Sequence, residues 1–162
     1  MSRARAAEQD GGPSEGAAPR RAHVLVAEDD DAMRELLEEA LGRHGYEVAT
    51  VEDGFELGDY LELAQSGQGR IPDAIVTDVR MPGRTGLDAL ASFVPAARCC
   101  VVVISAFADA ETKAAARRIG AAVVLEKPFE VEALTSALEA LLPPWGAPPA
   151  GRARSPGTGR TG

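Results

Sequence analysis

Residues 74–86 read AIVTDVRMPGRTG, a short apolar run that ends in an acid and then breaks into a loop containing Pro and Gly. Such a run is too short for a helix and reads as a buried strand, AIVTD (74–78), followed by a turn. Four other segments have a related form. HVLVA (23–27) runs into Glu28-Asp29-Asp30-Asp31, and YEVATV (46–51) is a second strand. CVVVIS (100–105) is the most apolar and is expected to be central, and AVVLE (122–126) runs into Lys127-Pro128. Helical patterns separate them. Met33, Leu36, Leu37, Ala40 and Leu41 share one face, with Gly42 or Gly45 near the stop. Asp53 is a candidate N-cap for a helix to about Ala64, and another helix is expected at about 86–93. Asp109 can cap a helix running to about Ile119, which Gly120 ends. Val131, Leu134, Leu138 and Leu141 form the stripe of a last helix, stopped by Pro143-Pro144. Apolar strands alternating with amphipathic helices predict an α/β fold: a five-stranded parallel sheet with helices on both faces.

At 162 residues, 45% hydrophobic and 26% charged, the chain fits one globular domain. Residues 1–21 and 143–162 are rich in Gly, Pro, Ala, Ser and Arg, and are expected to be disordered tails around a domain at 22–142. Neither tail resembles an output module. The tails carry seven arginines and three acids, which leaves 10 basic and 22 acidic residues between them. A body that acidic repels phosphate backbones, so direct nucleic-acid binding is not expected. No apolar run reaches the roughly 20 residues of a membrane span, and the N-terminus lacks a secretory apolar core. No membrane association and a cytoplasmic location are therefore expected. The adjacent Cys99 and Cys100 point to opposite faces of a strand and read as small apolar residues rather than a redox pair.

In an open parallel sheet, functional groups gather at the carboxyl ends of the strands. Here four strands deliver polar residues to that edge: Glu28 and Asp29, Asp78, Ser105, and Lys127. If the first and third strands are neighbours, three carboxylates converge, and a hard divalent cation relieves their repulsion. With Lys127 and Ser105 opposite, the site suits the oxygens of a phosphoryl group, and an Asp held there can be the nucleophile that accepts it. Lys127 is one of two lysines against fifteen arginines, and a mobile point charge kept at this place fits a phosphate contact. Asp30 or Asp31 instead suits the cap of the first helix. His23 and His44 have no acids arranged for catalysis and read as structural or exposed.

The segments VLVAEDDDAMRELL, IVTDVRMPGRTGLDAL, VVVISA and VVLEKPF resemble, in order, the response-regulator receiver family over about residues 22–142. The resemblance implies the CheY-like, flavodoxin-like receiver fold with strand order 2-1-3-4-5, and a stand-alone phospho-acceptor rather than an enzyme. It makes Asp78 the phosphorylation site, fed by a histidine kinase or phosphotransfer protein, with output to a separate target protein. Mg²⁺ (or Mn²⁺) would be held by Asp29, Asp78 and the backbone carbonyl of Arg80, with Glu28 acting through water. Ser105 and Lys127 would stabilise the phosphoryl oxygens, small Ala106 would keep the acceptor reachable, and Pro128 would follow a cis peptide bond that aims Lys127 inward. The partner face would be formed by the helix after strand 4, strand 5 and the last helix.

Two features depart from the commonest family pattern. Val124 stands where an aromatic switch is frequent, so coupling is expected to run through backbone and loop shifts. Arg80 and Phe107 occupy the two positions that in the family flank the path of the hydrolytic water, and a long cation and a bulky apolar ring are poorly suited to orienting it, which predicts slow self-dephosphorylation. A receiver-fold binding module that works without phosphorylation is the alternative. A nucleotide-using enzyme would want a Gly-rich turn where Glu28-Asp29-Asp30-Asp31 stands. A haloacid-dehalogenase-type phosphatase would want an Asp where Arg80 stands.

Overall fold

The computed structural model describes residues 20–81, 88, 90, 93 and 99–142. Its strands are β1 (His23–Ala27), β2 (Glu47–Val51), β3 (Ala74–Asp78), β4 (Cys100–Ser105) and β5 (Val123–Glu126). They form one five-stranded sheet in the order β2-β1-β3-β4-β5, parallel throughout. Every residue of β1 and β3 is buried, as is all of β4 after Cys100, whereas edge strands β2 and β5 are only partly covered. β4, expected to be central for its apolarity, lies between β3 and β5, and β3 holds the middle. Apolarity reports burial on two faces, which all three interior strands share, and so does not single out the middle one.

The helices whose bounds lie within the described residues are α1 (Asp31–Arg43), α2 (Gly54–Gln65), α3 (Ala110–Arg118) and α4 (Val131–Leu141). Side chains alternate across the strands, so the sheet builds two cores. Val24, Val26, Val76 and Val102 pack with Leu37 and Leu41 of α1 and with Leu134 and Leu138 of α4. Leu25, Ile75 and Val103 pack on the other face with Leu57 and Leu61 of α2 and Ala116 of α3. Each fully buried Leu contributes roughly 1.5–3 kcal/mol from apolar burial. Leu36, expected on the same apolar face as Leu37, is 47% exposed. One residue is a 100° turn, enough to carry it past the edge of the stripe.

Helix starts follow their caps. Asp30 accepts the Met33 N–H at 2.8 Å, Asp53 that of Glu56 at 2.8 Å, and Asp109 that of Thr112 at 2.8 Å. Three stops pass through glycines at positive φ, 91° at Gly45, 79° at Gly67 and 81° at Gly120, a backbone region that disfavours a Cβ. The helix expected at about 86–93 falls mostly outside the described residues, as do the tails apart from Arg20 and Arg21. Both cysteines are free, and burial pushes the Cys99 thiol up to about 12.

His23 begins β1 at the end of the sheet away from the acid cluster and is buried. Its Nε2 lies 2.6 Å from the Tyr60 hydroxyl, and its backbone N–H donates to Asp73 at 2.7 Å. Its role is structural, tying β1 to α2 and to the segment before β3. His44 is exposed, with Nδ1 3.2 Å from the Ala40 carbonyl.

Candidate functional site

Because the strands are parallel, their carboxyl ends lie along one rim. Register aligns Asp78 of β3 with Ile104, one residue before Ser105, and aligns Ser105 with Glu126, one residue before Lys127. Backbone bonds extend the pairing past the strands: Glu28 N–H to Val51 O at 3.1 Å, Val79 to Ile104 at 3.0 Å and Lys127 to Ser105 at 2.8 Å. The loops thus leave the rim from fixed points, and the polar residues that close each strand face one another.

Glu28, Asp29 and Asp78 each place a carboxylate oxygen within 4.8 Å of the others, with Glu28 and Asp78 buried and Asp29 exposed. Lys127 reaches across from the end of β5. Its Nζ lies 2.6 Å from Asp78 Oδ2 and 3.0 and 3.3 Å from the two Glu28 oxygens. Burial alone would lower the Lys127 pKa, but the bonds to Asp78 and Glu28 outweigh it and raise it. Burial raises Glu28 to about 7, offset in part by the Lys127 bond and reinforced by the charge of Asp78. The Asp30 backbone N–H also donates to Glu28, at 3.2 Å, and the Arg34 guanidinium donates to the Glu28 carbonyl at 2.9 Å.

The donors here are all carboxylate oxygens, the set that Mg²⁺ and Mn²⁺ prefer over softer metals. Among the described residues one ammonium faces three carboxylates, two of them buried, so a hard divalent cation fits the charge that Lys127 leaves uncompensated. The Lys127–Pro128 peptide bond is cis. Ala106 and Pro128 lie exposed at the rim.

The other rim residues are arranged as follows. The Arg80 N–H donates to Asp78 Oδ1 at 3.0 Å. Ser105 is buried, and its Oγ donates to the Phe107 carbonyl at 2.9 Å and accepts the Phe107 N–H at 3.1 Å. The Arg80 guanidinium carbon sits 4.9 Å from the centre of the Phe107 ring. Arg80, Phe107, Ala108, Asp109 and Glu126 line a shallow cleft of about 520 Å³. Sequence reasoning placed Arg80 and Phe107 together beside the water path but did not anticipate their contact, and read Asp109 only as a cap. The bond to Thr112, with a smaller contribution from Arg80, also holds the Asp109 carboxyl below its ordinary value.

The model of the response regulator receiver domain matches residues 24–139. The chain belongs to the response-regulator receiver family. Among similar proteins, the transcriptional regulatory protein PdtaR of Mycobacterium tuberculosis is 36% identical over 126 residues, 78% of this chain and 58% of that protein. The DNA-binding transcriptional regulator NtrC of Azospirillum brasilense is 38% identical over 124 residues, 75% of this chain and 24% of that protein. The receiver thus spans little more than half of one relative and about a quarter of the other. The chemotaxis protein CheY4 of Vibrio cholerae superposes with a TM-score of 0.65 at 29% identity, covering 76% of this receiver and 100% of that chain. The fold implied by the residue-level resemblance, with its strand order, is the one observed.

Proposed function

We propose that this receiver is a phospho-acceptor switch in which Asp78 takes a phosphoryl group from the phosphohistidine of a kinase or phosphotransfer protein. The N–P bond breaks with the imidazole as leaving group, and a bond forms between an Asp78 carboxylate oxygen and phosphorus. The observation that carries this reading is the buried Asp78 carboxylate, 2.6 Å from Lys127 Nζ and within 4.8 Å of the Glu28 and Asp29 oxygens. Asp29, Asp78 and the Arg80 carbonyl would hold the cation, Mg²⁺ or Mn²⁺, with Glu28 acting through water, and the bound ion would supply neutralising charge to the phosphoryl oxygens. Lys127 turns from Asp78 and Glu28 to one of those oxygens, and Ser105 donates a hydrogen bond to another. Small Ala106 leaves the approach open, and Pro128 sets the course of the chain beyond Lys127.

The change biases the face made by α3, β5 and α4, which a separate target protein reads. The acidic body disfavours direct nucleic-acid contact, whatever the names of the relatives say of those proteins. No helix among the described residues is long and apolar enough to cross a membrane, and the proposed setting is the cytoplasm. A long cation at Arg80 and a bulky apolar ring at Phe107 are poorly suited to orienting water, so the acyl phosphate decays slowly. A decay assay should show faster loss in Arg80→Asn, and equal rates would remove that part of the reading.

The direct test is incubation with a small phosphodonor and Mg²⁺ followed by intact-mass measurement. Wild type should gain one phosphoryl group and Asp78→Asn none. An Asp78→Asn protein that gains the same mass contradicts the assignment.

A further inference from the structure

Both ends of the Arg80–Phe107 contact hang on groups that must change partners when Asp78 is modified. Arg80 is anchored through its N–H to Asp78 Oδ1 at 3.0 Å, an oxygen of the very carboxylate that accepts the group. Phe107 is anchored through its carbonyl and N–H to Ser105 Oγ, at 2.9 and 3.1 Å. A serine hydroxyl has a single proton. While that proton is given to the Phe107 carbonyl it cannot be given to a phosphoryl oxygen, so the two bonds exclude one another. Between these anchors the guanidinium lies 4.9 Å from the ring centre. The ring is 58% exposed, so its place on the rim is set by these contacts rather than by core packing. β5 supplies no alternative ring, since Val124 there is a partly buried aliphatic packed into the core on the α2–α3 side of the sheet.

We propose that the Arg80–Phe107 pair is a latch that is closed in the unmodified chain and opens when Asp78 is phosphorylated, with Phe107 as the positioning residue that carries the state of Ser105 to the surface. The inference rests on the phospho-acceptor reading and specifies how that site is read out. Redirection of the Ser105 O–H hydrogen bond to a phosphoryl oxygen releases the Phe107 carbonyl, and modification of Asp78 disturbs the anchor of Arg80. The ring then leaves the guanidinium, and the cleft that both residues line with Ala108, Asp109 and Glu126 changes shape. An exposed cation–π contact is weak, so loss of one hydrogen bond is enough to open it.

Fluorine NMR of the chain labelled with 4-fluorophenylalanine reads the latch, because four phenylalanines give a resolvable set and Phe107→Leu identifies its resonance by loss. Acetyl phosphate with Mg²⁺ is the probe, with intact mass measured on the same sample. The Phe107 resonance should shift in proportion to the phosphorylated fraction. In Ser105→Ala, which lacks the anchoring hydroxyl, it should lie near the shifted position before any donor is added. A phosphorylated sample with an unmoved Phe107 resonance overturns the latch and leaves the acceptor reading standing. An unmoved resonance in Ser105→Ala overturns it equally, and a sample that gains no mass removes both.

Discussion

Lys127 sets the scale of the problem at the rim. Its one ammonium is shared between Asp78 and Glu28, while Asp29 lies beyond them at the edge of solvent. Taking a carboxylate out of water is costly unless it is paired, and Glu28 answers by holding its proton up to about 7, chiefly through burial. A divalent cation that neutralises these groups binds only the folded chain and so raises its stability. At about tenfold above its Kd the gain is about 1.4 kcal/mol over a chelated sample. Thermal unfolding with Mg²⁺ and with EDTA should show that rise in wild type and little of it in Asp29→Asn. An equal rise in both would mean the ion sits elsewhere. The participating residues were legible because each stands at the carboxyl end of an apolar strand, and parallel pairing sends those ends to one rim; that they meet there needs the strand order as well. The Arg80–Phe107 contact was not, because it joins side chains on two loops whose paths no periodicity specifies.

The first helix shows what an amphipathic pattern can and cannot decide. Leu36 and Leu37 are adjacent and chemically identical, yet one is 47% exposed and the other fully buried. Leu37→Ala should cost about 3 kcal/mol by leaving a cavity against the sheet, and Leu36→Ala under about 0.5 kcal/mol. Denaturant melts of the two variants measure this, and similar losses would place α1 in a different rotation. Sequence alone grouped the two because a stripe on one helix does not mark where its partner surface ends. The start of β1 carries a second consequence. Burial, and then the charge of Arg70, lowers the His23 pKa from 6.5, against opposing charges on Glu47 and Asp73. On acidification the unfolded chain therefore takes up this proton first. Stability contributed by neutral His23 is whole above 6.5 and is lost as pH falls from there towards the lowered folded value. Melting temperatures between about pH 7 and about pH 5 should fall more steeply in wild type than in His23→Gln. Parallel slopes would show that His23 does not couple folding to protons.

At the scale of the molecule, alternation of strand and helix was enough to predict a parallel sheet covered on both faces. The order β2-β1-β3-β4-β5 was not readable from hydropathy, since β1, β3 and β4 are all buried and nothing in their composition ranks them. It came with the family resemblance, and it matters because it places β1 beside β3 and so brings Glu28 and Asp29 to Asp78. The same topology sets Lys127 across from them on the far side of β4. One chemical demand therefore falls on the whole fold: cation binding and modification must meet at a single aspartate. Peptide mapping by tandem mass spectrometry, after treatment with a small phosphodonor in Mg²⁺ or in EDTA, tests this most directly. The account predicts an acyl phosphate at Asp78 in Mg²⁺ and almost none in EDTA. A phosphoryl group found on another residue, or on Asp78 to the same extent without the metal, would contradict it.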